Sequence, residues 1–293
     1  MKSGKHTSFT GSDHLRQADL AECQGWLPRR PEDSHKGSNG RVLIVVGEQA
    51  MAGATCLAGW AAYVAGAGLV RVATIPENVS AITSRRPELL VSGIAKIDQL
   101  KSLLNQSDVV ALGPGLGQTK WSHQVFELCL EHRAPDIVDA DGLNLLAQSP
   151  DKRPQWILTP HAGEAARLLR CSVDDVQSDR AAAINEIASI YGGTCILKGP
   201  GSLISDNRAD TMVCHYGNAA LAVAGTGDVL SGFLSGLVAQ KMDPQQAAVA
   251  AVVLHACAAD IYAAENGIIG MLASDLMIPL RRLRNGYRMQ DEQ

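Results

Sequence analysis

From Arg41 onward the chain alternates short runs of β-branched residues with longer Ala- and Leu-rich segments, and few architectures accept that rhythm. Strand candidates are residues 42–46, 69–74, 108–112, 137–138, 156–158 and 194–197; helix candidates are 54–65, 121–131, 142–147, 163–169 and 181–191. The run Val42-Leu43-Ile44-Val45-Val46 has no polar/apolar alternation. Strands of that kind are covered on both faces, which predicts an α/β fold with a mainly parallel sheet between two helical layers. After Lys198 the rhythm changes. Residues 202–204 and 212–215 flank the turn signal Asp206-Asn207, so a small hairpin is expected on one sheet edge, followed by three helical segments. No linker interrupts this stretch, so residues 40–293 are expected to form one domain. Residues 1–39, rich in Ser, Gly, His, Pro and charge, read as an N-terminal arm or poorly ordered tail, with one short helix around residues 14–23.

Composition narrows the partners. Lys plus Arg number 26 against 30 Asp plus Glu, and aromatic residues make up 4%, so the chain has neither the positive field nor the stacking platforms of a nucleic-acid binder. Cys23, Cys56, Cys129, Cys171, Cys195, Cys214 and Cys257 are scattered, odd in number and never in a Cys-x-x-Cys pair. That argues against a disulfide framework or a zinc site, and for a reducing, cytoplasmic setting. The polar N-terminus lacks the apolar core of a signal sequence. The longest apolar run, residues 247–259, is broken by His255 and falls short of the ~20 residues of a membrane span. It reads as a buried helix, and no membrane association is expected.

Ligands of an open parallel sheet bind beyond the carboxyl ends of the strands, and the loops expected there are rich in glycine and polar residues. The strongest signal is the glycine-rich stretch 217–236, which delivers Asp228 to the start of an apolar helix. Gly225, Thr226 and Gly227 form a nest in which bare N–H groups and the helix dipole favour an anion such as phosphate. A carboxylate beside that nest is better placed to take a proton from a hydroxyl meeting the phosphoryl group than to bind the anion. The alternative is that Thr226 and Asp228 simply cap the helix. Other loops carry paired readings too. The glycines of Gly113-Pro114-Gly115-Leu116-Gly117 serve ligand approach or a tight turn; Asp139 and Asp141 approach Mg²⁺ or cap the next helix; Lys198 contacts phosphate or is merely solvated. His161 reads as a hydrogen-bonding group on the rim, too poorly accompanied by Glu164 to hold a metal, and His255 as a satisfied core histidine. Neither a Gly-x-Gly-x-x-Gly nor a P-loop motif occurs.

As an ordered set, these loops resemble the ADP-dependent NAD(P)H-hydrate dehydratases of the ribokinase-like superfamily. The resemblance is carried by Gly66-Ala67-Gly68-Leu69-Val70, Gly113 to Gly117, Asp139-Ala140-Asp141-Gly142-Leu143-Asn144, Thr159-Pro160-His161-Ala162-Gly163-Glu164, Leu197-Lys198-Gly199 and Gly225-Thr226-Gly227-Asp228. It implies a three-layer α/β/α fold and a stand-alone enzyme, since too few residues precede Arg41 for an epimerase domain. The implied reaction is dehydration of the S-form of hydrated NADH or NADPH through phosphorylation of the ring hydroxyl and elimination of phosphate, giving AMP and phosphate. ADP is the implied co-substrate, with ATP as an alternative donor and Mg²⁺ as cofactor. The implied nucleotide pocket comprises Lys198, Gly199, Pro200, Gly201, Ser202 and Gly227, and the implied substrate contacts are Ala54, Gly117, His161 and Asp228. Asp141, Asn144, Glu164 and Asn218 stand beside them as further candidate contacts, and the metal ligands are unassigned. A homo-oligomer, dimer or tetramer, is expected. Departures from the family pattern fall at Glu48, Ala162, Ala219-Ala220 and Ala224. The alternatives are a small-molecule kinase of the same fold, of the hydroxyethylthiazole or pyridoxal type, and a nucleotide-binding sensor without catalysis.

Overall fold

In β2 (Arg41–Val45), Val42 and Ile44 face one hydrophobic core and Leu43 and Val45 face another, so both faces of the strand are buried. That two-sided burial is what an unbroken apolar run dictates. The structure is a computed structural model and describes residues 15–47, 49, 51–132 and 136–287; Glu48 and the first 14 residues of the arm lie outside the described residues.

The chain opens with β1 (Leu15–Gln17) and α1 (Leu20–Trp26), then β2, α2 (Ala52–Ala65), β3 (Leu69–Thr74), α3 (Val79–Arg85), β4 (Leu90–Gly93) and α4 (Asp98–Asn105). Next come β5 (Val109–Leu112), α5 (Lys120–Glu131), β6 (Ile137–Val138), α6 (Ala140–Gln148), β7 (Ile157–Leu158), α7 (Ala162–Leu169), α8 (Val173–Ser178) and α9 (Arg180–Tyr191). It finishes with β8 (Thr194–Leu197), β9 (Ser202–Ser205), β10 (Thr211–Cys214), α10 (Thr226–Ala239), α11 (Pro244–Asn266) and α12 (Met277–Arg284). The strands form one sheet in the order β1-β10-β9-β8-β7-β6-β5-β2-β3-β4, and β9 alone among the described strands runs against the rest. Helices α1, α2, α10, α11 and α12 bury their apolar sides in one core, and α4 to α9 theirs in the other.

Several elements differ from the sequence expectation. Residues 75–107, left unassigned, contain α3, β4 and α4; β4 is an edge strand with Leu90 half exposed, which blurs its apolar signal. The helix expected at 14–23 begins only at Leu20, where the Asp19 side chain accepts from the Glu22 amide at 2.9 Å; the residues before it are strand β1. Because β1 pairs in parallel with β10, the β9–β10 hairpin has a further strand outside it.

Two features position the site. Helix α11 is the one helix among the described residues long and apolar enough to cross a membrane by length and composition, yet residues 247–259 are buried against α1, α10, α12 and the sheet. Helices α2 and α10 pack at very close range, since a Cβ on Gly232 or Gly236 would overlap the carbonyls of Ala58 or Ala62. These two glycines of the 217–236 stretch therefore serve helix packing and not an anion.

Candidate active site

The parallel strands β2, β5, β6, β7 and β8 end on one edge, so the loops that follow them share one rim. Asp139, at the start of α6, neither caps that helix nor stands free for a metal. Its carboxylate is 2% exposed and pairs with Lys198 Nζ at 2.7 Å, while Ser231 Oγ of α10 donates to its other oxygen. Ala140 beside it is held at φ +46°, backbone strain of the kind that collects at functional sites. Burial pushes the Asp139 carboxyl up, but the charge and hydrogen bond of Lys198, with Ser231 and Thr159, hold it below the usual range. Burial likewise favours neutral Lys198, and Asp139 and Glu164 outweigh it, keeping the ammonium charged. Glu164 lies 3.8 Å from that ammonium, and its own carboxyl is pushed up, chiefly by burial.

The first turn of α10 lies beside this pair: Lys198 Nζ is 3.8 Å from where a Cβ of Gly227 would sit. Gly225 enters the helix at φ +93°, and a side chain there would press on Leu57 of α2 at 2.6 Å. Among the described residues no side chain caps this helix, which sets aside the capping alternative for Thr226 and Asp228. Thr226 Oγ1 instead donates to the Leu221 and Val223 carbonyls, both at 3.1 Å, and pins the preceding loop. The amides of the turn therefore remain without a side-chain cap, the arrangement that attracts phosphate. Asp228 follows them with its carboxyl pushed up to about 7, by burial first and by the charge of Asp139, against the pull of Lys198.

A cleft of about 550 Å³ opens on the nest, a volume suited to a nucleotide-sized ligand. Lys198, Gly199, Pro200, Gly201, Ser202, Thr226, Gly227 and Asn218 all line it. Arg180 supports the loop by donating to the carbonyls of Leu197 at 3.1 Å and Gly201 at 3.4 Å. Asn218 also holds its own loop, donating to Asp260 at 2.8 Å. Sequence reasoning missed the apolar wall of Leu221, Leu230, Val252 and Ala256, together with His215 and Tyr216. His255 is satisfied, as expected, by donating from Nε2 to the Thr226 carbonyl at 3.0 Å, with its pKa pushed down to about 4 chiefly by burial. It also lines the cleft, a role that a lone histidine in an apolar helix signals only weakly.

Gly225, Asp228 and the other remaining candidates are not among the residues that line that cleft, and five of them form two clusters. In one, Gly117 N–H donates to Asp141 Oδ2 at 2.9 Å, and Asn144 bridges Asp141 and Arg167 at 3.3 Å on each side. In the other, His161 caps α7: its Nδ1 accepts from the Gly163 and Glu164 amides at 2.9 and 3.3 Å, and Glu164 accepts from the His161 amide at 2.8 Å. With Nδ1 accepting, the ring is neutral with its proton on Nε2, in keeping with a pKa lowered by burial and by Lys198. Ala54 stands in the first turn of α2, one turn before Leu57. Lys198 joins the two regions, lining the cleft while meeting Glu164. No group of three or more metal-ligating side chains occurs among the described residues. Mg²⁺ typically takes one or two carboxylates and completes its shell with phosphates and water, so these residues fit an ion carried by a nucleotide better than a protein cage.

Residues 42–282 match the family model described as NAD(P)H-hydrate dehydratase. The chain is 49% identical over 259 residues to a bifunctional NAD(P)H-hydrate repair enzyme of Coxiella burnetii, covering 88% of this chain and 53% of that protein. It is 38% identical over 268 residues to the ADP-dependent (S)-NAD(P)H-hydrate dehydratase of Neisseria meningitidis, covering 87% of this chain and 88% of that one. Among solved structures, the ADP/ATP-dependent NAD(P)H-hydrate dehydratase of Bacillus subtilis, co-crystallised with ATP and Mg²⁺, superimposes with a TM-score of 0.80 at 30% identity, covering 94% and 99% of the two chains. The chain thus spans about half the length of the bifunctional relatives it matches.

Proposed function

This chain belongs to the NAD(P)H-hydrate dehydratase family and has its ribokinase-like fold, and from that premise we propose that it repairs hydrated NADH or NADPH in an ADP-dependent dehydration. The observation that carries the reading is Asp228: a carboxyl near pKa 7 directly follows uncapped amides that open on a nucleotide-sized cleft. A general base works best with a pKa near the working pH.

In this reading the adenine end of ADP rests on the apolar wall, and its phosphates lie against Gly199 to Ser202 and the nest at Gly225 to Gly227. The hydrated nicotinamide is held by Ala54, Gly117 and His161, with Asp141, Asn144 and Glu164 supporting those contacts. His161 Nε2 lies 3.3 Å from Glu164 Oε1, so Glu164 sets the orientation in which the ring meets the substrate. Asp228 takes the proton of the ring hydroxyl as its oxygen attacks the terminal phosphorus and the bond to the departing AMP breaks. The nest amides and Lys198 stabilise the charge spread over the transferring phosphoryl oxygens. The ring C–O bond of the phosphate ester then breaks, and phosphate departs under the push of the ring nitrogen's lone pair. Loss of a ring proton restores the dihydropyridine, so water leaves overall as the hydroxyl oxygen of phosphate and two protons. Mg²⁺, carried by the nucleotide phosphates, would neutralise phosphate charge.

The S-form of the hydrate, ADP as donor and assembly into a dimer or tetramer belong to the same proposal. The Neisseria meningitidis relative is named for the first two, and the exposed Ile268, Ile269 and Leu272 offer an apolar surface for the third. All seven cysteines are free, which supports a reducing cytoplasm. Incubation with the hydrate, ADP and Mg²⁺ should restore the absorbance of the reduced nicotinamide and release AMP and phosphate in equal amounts. Recovery of a stable phosphorylated product, or binding without turnover, would replace this reading with the kinase or the sensor.

A further inference from the structure

A second cavity, of about 700 Å³, lies where the segment after α1, the end of α2 and the end of α12 meet. The N-terminus of α2 is at the catalytic rim, and its 14 residues span about 21 Å, so this cavity is on the opposite edge of the molecule. Arg29, Arg30, Arg281 and Arg284 line it, and no Asp or Glu does. We propose that it is an anion site for a phosphate-bearing small molecule, separate from the catalytic cleft.

Helix ends explain part of this arginine set and leave its charge intact. Arg30 Nη2 donates to the Gly66 carbonyl at 2.6 Å, and Arg284 donates through Nε to Ala65 at 2.8 Å and through Nη2 to Pro28 at 2.7 Å and Gln240 at 3.0 Å. The bonds to Gly66 and Ala65 satisfy carbonyls at the C-terminus of α2, but all four acceptors are neutral oxygens. Arg29 and Arg281 have no side-chain partner among the described residues. Burial, with Arg30's like charge behind it, lowers the pKa of Arg284. Guanidinium forks match phosphate oxygens two at a time, so cations around one open volume recognise an oxyanion with several phosphate oxygens better than a lone carboxylate. Arg29 precedes β2 and Arg281 lies in α12, so a bound anion would cross-link the chain's two ends over α2.

The chain itself holds one rival for the place. Gly286 lines the cavity, and Asp291 and Glu292 follow it within a few residues, outside the described residues.

The test is calorimetric titration of the full chain with inorganic tripolyphosphate. Wild type should show one equivalent more than Arg29→Gln/Arg281→Gln, in which the affinity of that class of site falls ~10-fold or more. ADP binding and turnover should be unchanged in that variant, because neither residue touches the catalytic cleft. The surface pair Lys96→Gln/Arg208→Gln should bind like wild type. Unchanged stoichiometry and affinity in Arg29→Gln/Arg281→Gln overturns the proposal, as does equal weakening in the surface pair, which would mark a diffuse field. Binding that appears only in Asp291→Asn/Glu292→Gln also overturns it, because the chain's own tail would then be the occupant.

Discussion

Helices α2 and α10 present opposite ends to opposite edges of the molecule, and the two edges handle the unpaired groups of a helix end in contrary ways. At the catalytic rim the first turn of α10 has no side-chain cap, and its amides open on the cleft beside Lys198. At the far edge the last carbonyls of α2 are taken up by Arg30 and Arg284. The same dipole operates at both ends. The proposed function puts phosphate where the donors are left unsatisfied, and fold stability is gained where the acceptors are supplied with partners.

The strongest way to break this contrast is Asp228→Asn. Turnover should fall by about 10²- to 10⁴-fold, the usual worth of a general base, with the folded structure retained by circular dichroism. In wild type, activity should rise with pH through about 7 as Asp228 loses its proton. Stability should move the other way. The folded carboxyl keeps its proton above the ordinary carboxylate range while the unfolded one does not, so stability declines from about pH 4 to about pH 7. A pH-flat stability in this window, or full activity in the variant, would remove Asp228 from the role.

Next in size is Asp139→Ala, which leaves Lys198 buried without its partner. Chemical denaturation should show a loss of about 3 to 5 kcal/mol. Removal of its charge should also lower the pKa of Asp228, moving the acid limb of the activity profile to lower pH. Gly232→Ala drives a methyl into the Ala58 carbonyl and should cost about 1 to 3 kcal/mol, read as a lower melting temperature. The smallest effect is expected at the far edge. Arg30→Gln removes one donor from the end of α2 and should cost under about 1 kcal/mol, with no change in turnover.

Much of this molecule was legible before folding. Continuous apolar runs such as 42–46 announce strands buried on both faces, and β2, β3 and β8 fall within a residue of the expected limits. The signal failed where burial is partial or elements are short: β4 on the sheet edge, β1 in the arm, and the six-residue helix α8. At the site the signal was Gly225, held at φ +93° where a side chain would strike Leu57, whereas a Cβ on Gly227 would meet only Lys198 Nζ at 3.8 Å. Gly232 and Gly236 look identical in sequence yet serve packing, since their position on the helix aims them at α2.

Residue order along the chain was enough to give the parallel layout, the rim of strand-end loops and the carboxylate beside the nest, because these depend on local periodicity and backbone freedom. Contact across the chain decided the rest. Asp139, Lys198 and Ser231 are far apart in sequence, and only their burial together turns a carboxylate read as a helix cap or a metal contact into half of an ion pair. The pKa of Asp228 follows from that pair and from desolvation, quantities set by distance in space. Tertiary packing likewise brought His215, Tyr216 and Val252 to one cleft and arginines from both ends of the chain to another.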